Sequence, residues 1–209
     1  MKNIDPLDEK HFQVLFDVGN FCSINAAVAL SKLIQKKIDM KVPQVKMIPM
    51  DGIADLVGGP EKVVVCVFLR VIGDIPSNMY FIISSESAKN LLRRVMNPTS
   101  EDKDNLFNDY ELSTLNEIGN ILMGSYLSSL ADFTRLKMQA SVPTIAIDMA
   151  GAVLTYGLLE FGHIGDYALT IDTAFFEGDH EVSGHFFLVP DPDSLEKLFH
   201  VLGVPFDDY

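Results

Sequence analysis

Asp17 with Asn20, and Glu117 with Asn120, are the residues of this chain whose types and spacing best suit chemistry. Each pair is an acid followed three residues later by an amide, in the runs Leu-Phe-Asp-Val-Gly-Asn (15–20) and Leu-Asn-Glu-Ile-Gly-Asn (115–120). On a helix, residues three apart share one face and lie close together. A carboxylate that can pair with a cation then stands beside an amide that donates and accepts hydrogen bonds without ionising. In both copies a Pro follows the Asn after twenty-two intervening residues, Asn20 to Pro43 and Asn120 to Pro143. A pattern repeated a hundred residues on points to a duplicated fold with two equivalent surface sites. Each copy also has a mid-helix glycine, Gly19 and Gly119, directly before the Asn. Such a glycine costs about 1 kcal/mol against alanine, so something must approach closely there: a crossing helix, or a partner docking on the Asn.

The elements that carry these pairs repeat as well. Leu15, Leu30 and Val42 match Leu115, Leu130 and Val142 at the same offset. Further on the offset becomes 105, with Gly73-Asp74 matching Gly178-Asp179 and Met79–Ile83 matching Gly184–Leu188. Each half therefore reads as a long helix, a strand region, a strand, a turn, a strand and a helix. The first helix is expected to start near Asp8 and run toward Ile38, with Cys22 as a candidate break. Its counterpart starts near Asn108–Asp109 and runs through Leu130. Val63–Ile72 and Tyr167–Phe176 read as strands ended by Gly-Asp turns. Ser84 or Ser85 caps a helix over Glu86–Met96, and Asp193 or Ser194 caps one over Leu195–Leu202 that Gly203 ends. Asn97–Asn105 is a polar linker between half-repeats of about 8–97 and 108–204, within a single domain spanning 1–209. Two Gly-rich apolar segments, Gly52–Gly59 and Gly151–Gly165, have no clear element. The fold class expected is α+β: two similar halves joined in one antiparallel sheet, long helices packed over it, related by a pseudo-twofold axis.

The bulk properties narrow the function. With 209 residues and 48% hydrophobic content the chain can bury a core, and disorder is not expected. The net charge of −13, from 29 acids against 16 bases, repels phosphate backbones and argues against nucleic acid as a partner. The strongest apolar run, Val63–Leu69, is too short to span a bilayer, and the N-terminal MKNIDPLDEKHF lacks an apolar signal segment. No membrane insertion and a cytoplasmic location are the expectation. Cys22 and Cys66, two isolated cysteines, read as small buried hydrophobes.

Other candidate residues carry little. His11, His163, His180, His185 and His200 are scattered without metal-ligand spacing, and His180 and His185 flank an expected hairpin turn. Gly162–Asp166 lacks the strand–Gly–helix context of a phosphate loop. Ser125, Ser128 and Ser129 have no evident His partner. The acids of Glu101–Asp104 and Asp191–Asp193 read as solvated loops.

The acid–two residues–Asn–twenty-two residues–Pro spacing resembles the signature of the CheC/CheX/FliY chemotaxis phosphatases. The run Gly19-Asn20-Phe21-Cys22-Ser23-Ile24-Asn25-Ala26-Ala27-Val28-Ala29-Leu30-Ser31 is similar to the CheC helix after the first acid. Two motifs in one chain, where CheX proteins have one, and an end at Tyr209, before any added flagellar-switch domain of the FliY kind, favour the CheC family. The resemblance implies hydrolysis of the aspartyl phosphate on a CheY-type response regulator, with CheD as a further partner. Carried over by motif position, Asn120 and Asn20 would supply the catalytic amides, and Glu117 and Asp17 the acids that engage the regulator. No cofactor of the chain's own is implied; Mg²⁺ would belong to the regulator. An Asn inserted beside an already reactive acyl phosphate can hold a water in line with phosphorus, catalysis by positioning.

The chain departs from the family pattern in two ways. Position 17 is Asp where Glu is usual, which shortens the reach by about 1.5 Å, one C–C bond. Gln13 and Ser113 stand where an Asp is frequent. The Glu117/Asn120 pair therefore ranks above Asp17/Asn20. These departures also define a rival reading: a binding module that keeps the docking face and sequesters phosphorylated regulator, or a CheD-type partner, with little or no turnover.

Overall fold

The computed structural model describes residues 7–42, 44–49, 52–96, 107–161, 167–177 and 180–205. The expected linker, Pro43, Gly162–Asp166 and the Gly178-Asp179 turn lie outside these residues.

The two long helices, α1 (Glu9–Ile34) and α4 (Asp109–Thr134), have 26 residues each. They begin alike. Asp8 accepts from the His11 N–H and Asn108 from the Glu111 N–H, and the His11 and Glu111 side chains reach back to the cap N–H groups, a capping box at each start. They also end alike, on Gln35 and Arg135 in the left-handed region at φ 55° and 60°. α1 therefore stops short of Ile38, and α4 runs past Leu130. No break occurs at Cys22. Cys22, Ala26, Ala27 and Leu30 all face the core, and that unbroken helical rhythm holds the turn together. α1 alone among the described residues is long and apolar enough to cross a membrane by length and composition. Here its buried side joins the main core.

The remaining elements are β1 (Asp39–Lys41), β2 (Val45–Pro49), α2 (Ile53–Leu56), β3 (Val63–Gly73), β4 (Ser77–Ser84) and α3 (Ser85–Val95) in the first half. The second half has β5 (Met138–Ala140), β6 (Thr144–Met149), α5 (Ala150–Phe161), β7 (Tyr167–Glu177), β8 (His180–Pro190) and α6 (Pro192–Val201). Ser84 caps α3, its Oγ accepting from the Ser87 N–H at 3.0 Å. α6 starts earlier than expected, after Asp191, because Pro192 suits the first helical turn, where no N–H is needed. The unplaced Gly-rich segments contain α2 and α5. Pro143 lies between β5 and β6.

The eight strands among the described residues form one antiparallel sheet, ordered β1-β7-β8-β4-β3-β5, with β2 also on β7 and β6 also on β3. The halves exchange edges: β1 and β2 of the first pair with β7 of the second, and β5 and β6 of the second pair with β3 of the first. At the centre β4 pairs with β8, and Phe81 stands opposite Phe186. These two residues are equivalents under the 105-residue offset, so the pseudo-twofold axis passes between them. Their rings lie 4.8 Å apart.

Side chains alternate across the sheet. Val65, Val67, Leu69 and Val71 of β3 join the larger core under α1, α3, α4 and α6, whereas Val64, Cys66 and Phe68 join a smaller one under α2 and α5. Burial on both faces explains why β3 is apolar almost throughout. Cys22 and Cys66 are buried and unbonded, and burial pushes the Cys22 thiol up to about 12. Asp191 is not a solvated loop residue as expected: Arg70 grips it through two N–H groups, at 2.7 and 2.5 Å, and also donates to Asn78 at 3.1 Å.

Candidate functional site

Gly119 fixes the height of α4 above the sheet. A β-carbon there would lie 2.5 Å from Cγ2 of Val67 on β3. Gly19 sits less tightly over Ile171 of β7 and the Tyr126 hydroxyl, at 3.5 and 3.4 Å. Val67 and Ile171 are each the fifth residue of their eleven-residue strands. The glycine of each half thus rests on the long strand of the other half. What approaches Gly119 closely is the sheet rather than the crossing helix the sequence suggested.

With Gly119 and Ile118 pressed inward, Glu117 and Asn120 face outward on α4, both exposed. Neither side chain makes a hydrogen bond or ion pair with another described residue, whereas those of the other copy are engaged. Gln13 donates to Asp17 at 3.0 Å, and the Asn20 amide donates to the Phe16 carbonyl at 3.1 Å. Ser113, at the position of Gln13, instead donates to Asp109 O at 2.8 Å within its own helix and leaves Glu117 alone.

α4 is further anchored where it begins. Lys89 of α3 meets the Glu111 carboxylate at 2.9 and 3.1 Å and stands 4.4 Å over the Phe107 ring. Burial alone would raise the Glu111 carboxyl, but the Asn108 N–H and the Lys89 ammonium outweigh it and hold the group below its ordinary value.

The two pairs do not converge. The pseudo-twofold axis between β4 and β8 sets α1 and α4 in opposite directions, and Phe21, beside Asn20, meets Phe133 near the end of α4, ring centroids 5.6 Å apart. Asn120 precedes Phe133 by thirteen residues, about 20 Å of helix. There are two separate surface sites, one toward each end of the helix pair. Among the described residues no three His, Cys, Asp or Glu gather as a metal-binding group. His11 serves the α1 cap and packs edge-on to Phe199, and His185 pairs with Asp172 at 2.8 Å. The sequence reading missed the exposed apolar residues that follow Asn20 on the same face. Three large apolar residues spaced along one helix face are the signal, but only the packing shows that this face is open.

Solved structures share this architecture. Thermotoga maritima FliY superposes with a TM-score of 0.75 at 18% identity, covering 95% of this chain and 98% of that one. The FliM middle domain from H. pylori follows with 0.63 at 14%, covering 93% and 99%. At these identities the likeness is one of fold: a pseudo-twofold sheet under two long helices, here carrying an acid–amide pair on each helix. The family model of the CheC-like family matches residues 111–147, a stretch that contains Glu117, Asn120 and Pro143. The CheY-P phosphatase CheC of Bacillus subtilis is 39% identical over 206 residues, 97% of this chain and 99% of that protein. The flagellar motor switch phosphatase FliY of the same organism is 26% identical over 144 residues, 69% of this chain but 37% of that protein. The chain belongs to the CheC-like family.

Proposed function

We propose that this protein is a phosphatase that hydrolyses the aspartyl phosphate of a CheY-type response regulator in chemotaxis signalling, with Glu117 and Asn120 as its main site. The relative that matches it end to end is named a CheY-P phosphatase. The observation that carries the assignment of the site is the state of the pair: exposed, unengaged, and held on one rigid helix face by Gly119 against Val67. Asn120, inserted beside the acyl phosphate, orients a water. That water adds to phosphorus as the bond to the aspartyl oxygen breaks, giving inorganic phosphate and a free carboxylate on the regulator, with the water's protons going to phosphate and solvent. Glu117 pairs with a cationic side chain of the regulator and fixes the docking. The Mg²⁺ that offsets phosphoryl charge comes with the substrate, and this chain supplies no cofactor. The protein works in the cytoplasm, where the regulator is, and a CheD-type protein is a further partner. Asn120→Ala is expected to remove most phosphate release at unchanged stability; undiminished release would sink the site assignment.

The engagement of Asp17 by Gln13 and of Asn20 by Phe16 favours a second reading for the first copy. There the polar pair turns over slowly and the site mainly binds. Asn20→Ala is then expected to lower release less than Asn120→Ala.

A further inference from the structure

The open face of α1 continues past Asn20. At 100° per residue, Phe21, Ile24 and Val28 extend the line of Asp17 along the helix. They are 42%, 61% and 50% exposed, and Phe133, which meets Phe21, is 47% exposed. The line leads into an open groove of about 520 Å³, walled in part by Ile24, Val28, Lys32 and Met40. The equivalent positions of α4 are Ile121, Gly124 and Ser128, and the equivalent of Phe133 is Leu33 of α1, 40% exposed. The pseudo-twofold axis relates the two backbones but not these two surfaces. Contiguous exposed apolar side chains mark interaction surfaces.

We propose that Phe21, Ile24 and Val28, with Phe133 from α4, form a docking surface for the phosphorylated receiver domain at the first copy. That copy holds the receiver by apolar contact, while the second copy depends on its polar pair. The proposal rests on the function reading above. The occupant follows from continuity and size. A receiver whose phosphoryl group takes Asn20 must cover the neighbouring turns, because a stable protein interface buries about 800 Å² on each partner and one helical turn advances only about 5.4 Å. Ile24 and Val28 fall inside such a footprint. The first copy combines an engaged acid–amide pair with the apolar stripe, and the second a free pair with Gly124 and Ser128 in place of Ile24 and Val28, so the duplicated sites are divided between holding and turnover.

The test is a calorimetric titration with a CheY-type receiver loaded with Mg²⁺ and beryllofluoride, alongside phosphate-release assays. Ile24→Ser with Val28→Ser changes only exposed side chains, and thermal unfolding verifies the fold. The double substitution is expected to weaken receiver binding at the first copy about tenfold, the loss typical of truncating interface anchors, and to lower phosphate release, which depends on Asn120 of the other site, far less. Glu117→Ala with Asn120→Ala is expected to do the reverse: turnover falls and the tight binding stays. Wild-type affinity in the Ile24/Val28 variant, beside a wild type that binds and hydrolyses, overturns the docking surface alone. A wild type that neither binds nor hydrolyses overturns the function reading and this proposal together. Loss of self-association in sedimentation, with receiver binding intact, would assign the stripe to a second copy of this chain and overturn it too.

Discussion

Gly119 has no room for a methyl group, because Val67 of β3 stands where its β-carbon would be. Gly119→Ala must therefore lift α4 or push Val67 aside. Overpacking of this kind costs about 1–3 kcal/mol, against about 1 kcal/mol gained in helix propensity. Gly19→Ala meets only ordinary contacts, at 3.4 Å and beyond, so propensity wins there. We expect Gly119→Ala to lower the midpoint of urea unfolding and Gly19→Ala to leave it unchanged or raise it. Equal effects would contradict the asymmetry between the two sites. The acid–amide pairs themselves were readable in the sequence because their chemistry is local, an i, i+3 spacing on one helix. The engagement of Asp17 and Asn20 was not, since the Gln13 side chain and the Asn20 amide could equally have pointed to solvent. Nor was the exposure of Phe21, Ile24 and Val28: they share the helical rhythm of core residues, and only the packing of α1 on α4 and the sheet shows which face stays open.

At the level of elements, the starts of α1 and α4 were legible from Asp8 and Asn108, whose cap chemistry acts within one turn. The expected break at Cys22 was wrong because burial of Cys22, Ala26 and Leu30 overrides the weak helix formers Ser23, Ile24 and Asn25 between them. α5 was unreadable because its apolar, glycine-containing sequence lacks the amphipathic period that sequence reading relies on. Glu111 offers the clearest test at this scale, since it closes the α4 cap and also pairs with Lys89. Glu111→Ala should cost about 1–2 kcal/mol, the range for losing a cap. Its carboxyl is held below the ordinary value of 4.5, so its contribution is complete above about that pH and is lost as pH falls through the lower, folded value. Wild type and variant are therefore expected to differ in urea unfolding at pH 7 and to converge in acid. A difference unchanged down to the most acidic folded condition would show that the carboxylate's charge is not responsible.

Across the whole molecule the halves are crossed rather than side by side. β1 and β2 complete the sheet on β7, β5 and β6 complete it on β3, each long helix stands on the other half's strand, and Arg70 of one half grips Asp191 of the other. The repeat in the sequence announced two similar halves, yet it could not announce this exchange, because antiparallel pairing between distant strands leaves no local mark. Neither half alone can bury its helix, so fragments 1–104 and 105–209 are each expected to lack a cooperative unfolding transition and to regain one when mixed. A fragment that unfolds cooperatively by itself would contradict the crossed arrangement as the source of stability. The same arrangement places the two sites toward opposite ends of one rigid helix pair, which suits one protein to meeting two receivers.

The central claim is turnover on a receiver's aspartyl phosphate, and it is tested most directly by following the decay of a phosphorylated CheY-type receiver with this protein at one-hundredth of its concentration. Wild type is expected to shorten the receiver's phosphorylated lifetime over many turnovers, Asn20→Ala to retain most of that effect, Asn120→Ala to lose most of it, and the double variant to lose all of it. Decay at the receiver's own rate with wild type present, or acceleration that survives in the double variant, would contradict the account.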